Sequence, residues 1–171
     1  KALEDICQKY DLVLLEDACH GLGGTYDGRA MGTIGLAGCF SFYTNKIMTT
    51  GEGGALVTNN DAIAERARRL RTHGQTKTAI DREQGALGYD ITEIGFNYRM
   101  DDIRGALGRV QLSRIAGSVD HRRALYRRYR ENITEIDGVH LPTFGARGEP
   151  AHYILPIVLD REDRHEIREQ L

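Results

Sequence analysis

Residues 40–59 read FSFYTNKIMTTGEGGALVTN, and this stretch decides the fold. It predicts two short strands, CFSFY and GALVT, joined through the glycine-bearing segment NKIMTTGEGG. Between them lies Lys46, one of only 4 lysines in a chain that has 19 arginines. A lysine held in partly buried, glycine-lined backbone can act as an amine nucleophile on a carbonyl. A surface lysine in a hairpin is the alternative interpretation of the same pattern.

Another strand is predicted upstream, and it ends in two carboxylates. Residues 12–15, LVLL, are apolar without alternation, which is typical of a parallel strand covered on both faces, and Glu16 and Asp17 follow. Open α/β sheets bind ligands at the carboxyl ends of their strands, so Asp17 is a candidate to pair with a cationic ring nitrogen of a cofactor. Capping of the following turn is its alternative role. Glu16 is expected to point to the opposite face.

Ser41 and His20 are further candidates for a binding site. Ser41 alternates with Phe40 and Phe42, so on a strand its hydroxyl faces away from both rings and can contact a phosphate, or serve the fold alone. His20 is open as a ligand, a donor to a ring or a core histidine. A metal site is a third hypothesis, built from Asp17, Cys19, His20 and Cys39. This site is disfavoured because the side chains of the adjacent residues Cys19 and His20 point apart in most backbone conformations.

The remaining elements are predicted mainly from helical periodicity. A first helix has Leu3, Ile6, Cys7 and Tyr10 on its apolar face. A helix capped by Asn59 or Asn60 has Ile63, Ala67 and Leu70 along one face, and a polar loop follows over 75–95. A helix from about Met100 has Ile103, Ala106, Leu107 and Val110 as its buried face. The last predicted elements are a helix over 118–136, a strand near 152–159 and a helix from about Glu162. Gly105 and Gly108 lie within the helix after Met100, which suggests close packing of another backbone.

Composition excludes several classes of protein. The net charge of -2 over 171 residues argues against a general nucleic-acid or membrane-surface binder, and no apolar stretch is long enough to span a bilayer. Three cysteines without a CxxC pair indicate reduced thiols and a cytoplasmic protein. The glycine-rich runs HGLGGTY and GEGGAL fail the GxGxxG pattern, and no GxxxxGK[ST] occurs. The Arg-rich helix over 118–136 leaves a non-enzymatic binding module as an alternative.

Several motifs together resemble a known family. LEDACH at 15–20, the stretch at 40–59, RLRTHG at 69–74 and GFNYRMDDIRGALGRVQL at 95–112 occur in the order found in the DegT/DnrJ/StrS family of pyridoxal-phosphate-dependent, nucleotide-sugar aminotransferases. The resemblance implies an α/β chain with the type I aminotransferase fold. It further implies that residues 1–116 are the C-terminal part of the large cofactor-binding domain and that 117–171 begin the small α+β domain.

The resemblance also implies roles for single residues. Lys46 matches the lysine that forms a Schiff base with pyridoxal 5'-phosphate (PLP), and Asp17 matches the carboxylate that keeps the pyridine nitrogen protonated. His20 lies where the family has Gln or His beside the ring's phenolic oxygen, and Ser41 matches a phosphate ligand. Asn97 matches an asparagine that reaches the phosphate of the neighbouring subunit, which implies a homodimer.

The implied reaction is transfer of an amino group from an amino acid, L-glutamate by analogy, to a keto sugar carried on a nucleotide. Sugar dehydratases of the family carry His at the lysine position, so Lys46 favours the aminotransferase, while cyclitol ketones stay open as substrates. The chain begins at Lys1 in one helical pattern and ends at Leu171 in another, so we expect a fragment. The phosphate loop, ring-stacking residue and substrate contacts of the family are not present in it, which implies inactivity of the segment alone.

Overall fold

The computed structural model describes residues 1–77, 81, 83–85, 87–133, 136–160 and 164–170. The helices are α1 (Ala2–Lys9), α2 (Asp61–Leu70), α3 (Asp102–Ser113), α4 (Ile115–Ile133) and α5 (Arg164–Gln170). The strands are β1 (Leu15–Asp17), β2 (Thr25–Tyr26), β3 (Arg29–Ala30), β4 (Ala37–Ser41), β5 (Gly54–Val57), β6 (Val139–His140), β7 (Gly148–Glu149) and β8 (Val158–Leu159). The predicted mixture of helices and strands is confirmed. None of the helices described is long and apolar enough to cross a membrane.

A three-stranded sheet in the order β1-β4-β5 carries the sequence that decided the fold. β1 runs parallel to β4, with Leu15 opposite Ala37 and Asp17 opposite Cys39. β5 returns antiparallel to β4, so residues 42–53 form the connection of a hairpin. The two strands predicted around CFSFY and GALVT are thereby confirmed.

Glu16 fastens the turn before β4 to β1. Its carboxylate accepts backbone N–H bonds from Gly32 at 2.7 Å, Ile34 at 2.6 Å and Gly35 at 2.7 Å. Gly38 on β4 is buried against the same turn, where an added Cβ would lie 2.2 Å from the Gly32 carbonyl oxygen. Because neighbouring strand residues face opposite sides, Asp17 is left on the other face, as the sequence predicts.

The predicted strand over 12–15 is wrong in position by three residues. Backbone pairing to β4 begins where the Leu36 N–H donates to the Leu14 carbonyl, and only residues 15–17 then pair with the strand. The predicted cover on both faces is also not found, since Leu12, Val13 and Leu15 are 58%, 65% and 66% exposed. The described chain supplies no layer over them.

α2 is confirmed together with its cap. The Asn60 side chain accepts a bond from the Ile63 N–H at 3.1 Å, which satisfies one free donor of the first turn. Asp101 does the same for α3, where it accepts from the Arg104 N–H at 2.9 Å. The polar loop predicted over 75–95 lies partly outside the described residues.

The predicted buried face of α3 is largely wrong. Ile103 is 84% exposed, and Leu107 and Val110 are exposed as well. The predicted packing of another backbone is not found in the described part of the chain. An added Cβ on Gly108 would lie 3.1 Å from the Thr50 side chain, whereas Gly105 has nothing within 4 Å. Among the described residues, the apolar side chains of this face stay largely exposed.

The C-terminal part packs along α4. This helix begins at Ile115 rather than Ser118 and buries Val119 and Tyr126, while residues 134 and 135 of the predicted helix lie outside the described residues. Of the strand predicted near 152–159, only β8 forms, because Pro156 has no N–H to donate and His152 has a φ of 50°. β7 instead pairs antiparallel with β2. The predicted start of the last helix at Glu162 is also not described.

We predict that Glu16→Ala lowers the free energy of unfolding by about 2–4 kcal/mol, because three backbone donors lose a charged acceptor. Urea unfolding of the purified protein measures the change. The exposed Glu65 on α2 provides the control, and Glu65→Ala should stay within about 0.5 kcal/mol of the wild type. Equal effects of the two substitutions would contradict the role of Glu16.

Candidate functional site

The carboxyl ends of β1 and β4 bring two predicted site residues to one face of the sheet. Asp17 lies opposite Cys39, and residues opposite each other in neighbouring strands face the same side. Ser41 follows Cys39 by two positions and therefore faces that side too. Asp17 and Ser41 thus line a single edge of the sheet on the face that Glu16 does not use.

Asp17 is held as a carboxylate. Its Oδ1 accepts a bond from the Cys19 N–H at 3.1 Å. Hydrogen bonding by the Cys19 side chain, and then by its backbone, holds the Asp17 pKa below the ordinary 3.8. Burial opposes this lowering, and His20 and Lys46 add smaller contributions to it. Asp17 therefore carries a negative charge at neutral pH.

Cys19 is a contributor that the sequence reasoning did not assign to this carboxylate. Its hydrogen bond to Asp17 raises the pKa of the Cys19 thiol, and burial raises it further, so the group stays protonated and donates. The thiol also lies 3.8 Å from the Cys39 carbonyl oxygen. The signal was available in the motif LEDACH, where the residue two after a strand-end Asp meets its carboxylate.

The connection between β4 and β5 presents Lys46. The Phe42 N–H donates to the Gly53 carbonyl at 2.8 Å, and the Thr50 N–H donates to the Phe42 carbonyl at 2.9 Å. Met48 and Thr50 are buried at 6% and 3% exposure, and both lie next to Gly108 of α3. Backbone hydrogen bonds and this packing therefore hold the connection. Lys46 is half-buried within it, which differs from the freely exposed hairpin lysine of the alternative interpretation.

Tyr153 joins Lys46 and His20 from the far end of the chain. The Lys46 Nζ lies 4.8 Å from the centre of the Tyr153 ring. The His20 ring lies 4.3 Å from the same centre, at an interplanar angle of 34°. Sequence reasoning missed Tyr153, because a contact across more than a hundred residues leaves no trace in local periodicity.

The structure brings His20 and Lys46 together against the Tyr153 ring, and each of them lowers the pKa of Asp17 slightly. Ser41 is on the same sheet face, and its Oγ accepts a bond from the Tyr43 N–H at 3.4 Å. Asn97 is exposed and forms a β-bridge with Thr72. Among the residues described, no contact joins Asn97 to the other four.

A cavity of about 570 Å³ adjoins His20 and Tyr153. Its lining comes from two parts of the chain, residues 20–31 and 143–156. The aromatic and aliphatic members of the lining include Tyr26, Met31, Phe144 and Ile154. A pocket of this size, apolar with a few polar groups at one side, is typical of a small-molecule site.

Metal binding has no support in the described part of the chain. No group of three or more His, Cys, Asp or Glu side chains there is placed to hold an ion. Cys7, Cys19 and Cys39 are all free thiols.

The residues present fit PLP. An ionised carboxylate at the strand ends suits a protonated pyridine nitrogen, and the nearby amine of Lys46 suits an aldehyde. A hydroxyl on the same face, that of Ser41, suits a phosphate. These three groups are therefore compatible with PLP.

Comparison with known proteins identifies the family. The sequence matches the DegT/DnrJ/EryC1/StrS aminotransferase family over residues 1–171, and the chain belongs to that family. The GDP-perosamine synthase of Caulobacter vibrioides is 34% identical over 132 residues, which are 77% of this chain and 33% of that protein. The chain spans about two fifths of the length of the curated relatives it matches.

Solved structures confirm the predicted fold and the cofactor. The aminotransferase TlmJ from Streptoalloteichus hindustanus is similar with a TM-score of 0.89 and 30% identity, over 99% of this chain and 45% of that one. The protein Spr1654 from Streptococcus pneumoniae, in its PMP form, is similar with a TM-score of 0.84 and 29% identity, over 94% of this chain and 43% of that one. Spr1654 is also solved in a PLP form, and PLP is the cofactor of the family.

We predict that Cys19→Ala raises the Asp17 pKa toward 3.8, because the thiol bond is the largest cause of the lowering. The carboxylate then protonates at a higher pH, so the part of the stability that depends on its charge is lost earlier as the pH falls. Carbon NMR of labelled aspartate measures the titration.

Cys7→Ala on α1 is the matched control for Cys19→Ala, since Cys7 is also a free cysteine. It should leave the Asp17 titration unchanged. A Cys19→Ala protein whose Asp17 titrates as in the wild type would contradict the thiol's role.

Proposed function

We propose that the protein containing this chain moves an amino group from an amino acid, L-glutamate, to a keto sugar carried on a nucleotide, using PLP. The observation that carries the proposal is that Lys46 and His20 lie against one Tyr153 ring, beside the carboxyl end of β1 where Asp17 carries its negative charge. Relatives of this family support the substrate class, since one of them is a GDP-perosamine synthase.

The chemistry divides between cofactor and chain. Bound PLP supplies an electron sink that stabilises negative charge on the carbon next to the transferred nitrogen. Asp17 binds the ring nitrogen and keeps it protonated through its own negative charge. Lys46 would bind the cofactor through its Nζ. Once released, its amine would move a proton between the carbons on either side of the transferred nitrogen. His20 contacts the phenolic side of the ring, and Ser41 binds the phosphate.

A homodimer is part of the proposal, with Asn97 reaching the phosphate in the neighbouring subunit. Support comes from the exposed apolar side chains around it. Ile94, Tyr98 and Ile103 are 92%, 73% and 84% exposed, and Phe96 stacks on Tyr98 at 4.9 Å. Apolar surface of this density is typical of a protein interface.

The domain division and the location belong to the same proposal. We assign residues 1–116 to the large domain and 117–171 to the connecting helix and the start of the small domain. The three free thiols favour the cytoplasm, a reducing compartment.

The Arg-rich helix supports the enzyme more than a binding module. Arg122 donates to the carbonyls of His152 and Tyr153, and Arg123 donates to the carbonyl of Pro150. Tyr126 is buried. These side chains hold the C-terminal segment on α4, and so they are not free for a nucleic acid.

Transfer of labelled nitrogen tests the proposed reaction. The purified protein with PLP and ¹⁵N-glutamate should place ¹⁵N in a nucleotide-linked sugar when a panel of keto sugars is supplied, as measured by mass spectrometry. A sugar that loses a hydroxyl and gains no nitrogen would indicate the dehydratase instead. Nitrogen in a cyclitol, and in no sugar, would indicate the cyclitol aminotransferase.

We predict that Lys46→Ala lowers the rate of nitrogen transfer at least about 10³-fold, because both the covalent attachment and the proton transfer are lost. The ¹⁵N assay measures the rate. Lys9→Ala, at an exposed lysine of α1, is the control and should retain the wild-type rate. A Lys46→Ala protein with more than a tenth of the wild-type rate would contradict the assignment.

Subunit mixing tests the role of Asn97. Lys46→Ala and Asn97→Asp should each be inactive as homodimers, the second because a carboxylate repels the phosphate. If Asn97 serves the partner's site, mixed dimers hold one intact site, and an equal mixture refolded together recovers about a quarter of the wild-type activity by random pairing. No recovery would mean that Asn97 acts within its own subunit, and an active Asn97→Asp homodimer would mean that Asn97 has no role in the site.

A further inference from the structure

Tyr153 contacts two residues of the proposed site that come from different segments. His20 follows β1, and Lys46 lies between β4 and β5, yet both lie against one tyrosine ring. The ring is half-buried between the site and the 570 Å³ cavity, which Tyr153 also lines. No motif of the chain accounts for this aromatic side chain.

α4 fixes the backbone that carries Tyr153. The Arg122 guanidinium donates to the carbonyl oxygens of His152 at 3.4 Å and Tyr153 at 3.3 Å. The Tyr126 ring stacks on the His152 ring with 3.9 Å between centres, and Ala151 is only 2% exposed. α4 therefore holds the backbone at Tyr153 and at the residue before it.

A tyrosine ring at 4.8 Å from an ammonium attracts its charge through the negative face of the π system. The same ring covers one side of Lys46 and limits the orientations of the His20 imidazole. Asp17 also interacts electrostatically with Lys46, and it lies on β1 rather than on the C-terminal segment. The position of the amine thus depends on groups from both ends of the chain.

We propose that Tyr153 is a positioning residue for the amino-group transfer, acting through Lys46 and His20. When Lys46 is released from the cofactor, its neutral amine takes the proton from one reacting carbon, and the Tyr153 ring holds the resulting ammonium until it returns that proton to the other carbon. The aromatic face rather than the hydroxyl does this. The inference rests on the proposed function, because it needs Lys46 to act as the base that moves the proton.

The first test uses the cofactor-free protein and the reactivity of Lys46 toward acetic anhydride, measured by mass spectrometry. Tyr153→Leu removes the aromatic face, so Lys46 should be acetylated about two- to fivefold faster than in the wild type. Tyr153→Phe keeps the face and should match the wild type. The matched control is Tyr10→Leu, since the Lys9 Nζ lies 5.0 Å from the Tyr10 ring at the surface, and this change should leave Lys46 unaffected.

The second test separates binding from proton transfer in the PLP-loaded protein. Tyr153→Leu should lower kcat for the half-reaction with glutamate about two- to fivefold, with KM for glutamate unchanged. Tyr153→Phe should restore kcat. Arg122→Met removes the hydrogen bonds to the His152 and Tyr153 carbonyls but keeps the Tyr153 ring. It should raise the acetylation rate of Lys46 and lower kcat, as Tyr153→Leu does, and it replaces Tyr153→Leu if that variant does not fold.

The outcomes distinguish this inference from the proposed function. Unchanged Lys46 reactivity and kcat in Tyr153→Leu and Arg122→Met, with PLP still linked to Lys46, would overturn the role of Tyr153 alone. A Tyr153→Phe protein as impaired as Tyr153→Leu would also overturn it, since the hydroxyl would then be the active group. A wild-type Lys46 that links no PLP would overturn the proposed function and this inference together.

Discussion

The parallel pairing of β1 with β4 is the constraint on which the site depends. It sets Asp17 opposite Cys39 and brings Ser41 to the same face. The adjacent carboxylates Glu16 and Asp17 have different roles because successive side chains of a strand point to opposite faces. Glu16 accepts three backbone N–H groups and secures the turn before β4, whereas Asp17 stays on the open face, ionised by its contacts with Cys19.

The C-terminal part of the chain completes the same region. β7 pairs with β2, and Arg147 forms an ion pair with Asp27, so residues far apart in sequence share one small sheet. Beyond β7 the chain passes along α4 and delivers Tyr153 to Lys46 and His20. The aromatic cavity beside them is therefore formed only once both parts have folded together.

Local signals in the sequence predicted much of the fold. The cap at Asn60 and the strands on either side of Lys46 are found as predicted, because caps and apolar runs act over a few residues. The strand predicted at 12–15 was misplaced because its hydrogen bonds depend on where β4 begins. The local sequence of residues 12–15 carries no information on that position. The predicted buried face of α3 is apolar in sequence, but no described residue packs on Ile103, Leu107 or Val110 closely enough to bury it.

The site residues likewise fall into those that local motifs predict and one that only the tertiary structure reveals. Asp17 and Lys46 stood out from their motifs, and the family resemblance that they supported is confirmed by the match over residues 1–171. Tyr153 was missed because it meets Lys46 only through the tertiary fold. The roles of Lys46, Asp17, His20, Ser41 and Asn97 toward the cofactor are proposals, of which substitution of Lys46 and subunit mixing with Asn97→Asp test two directly.

The most direct test of the central claim is the covalent position of the cofactor. The purified protein, loaded with PLP and reduced with borohydride, should lose its visible imine absorption and carry the reduced cofactor on the peptide that contains Lys46. A protein with no such absorption, or with the label on another lysine, would contradict the account of Lys46 and of the site built around it.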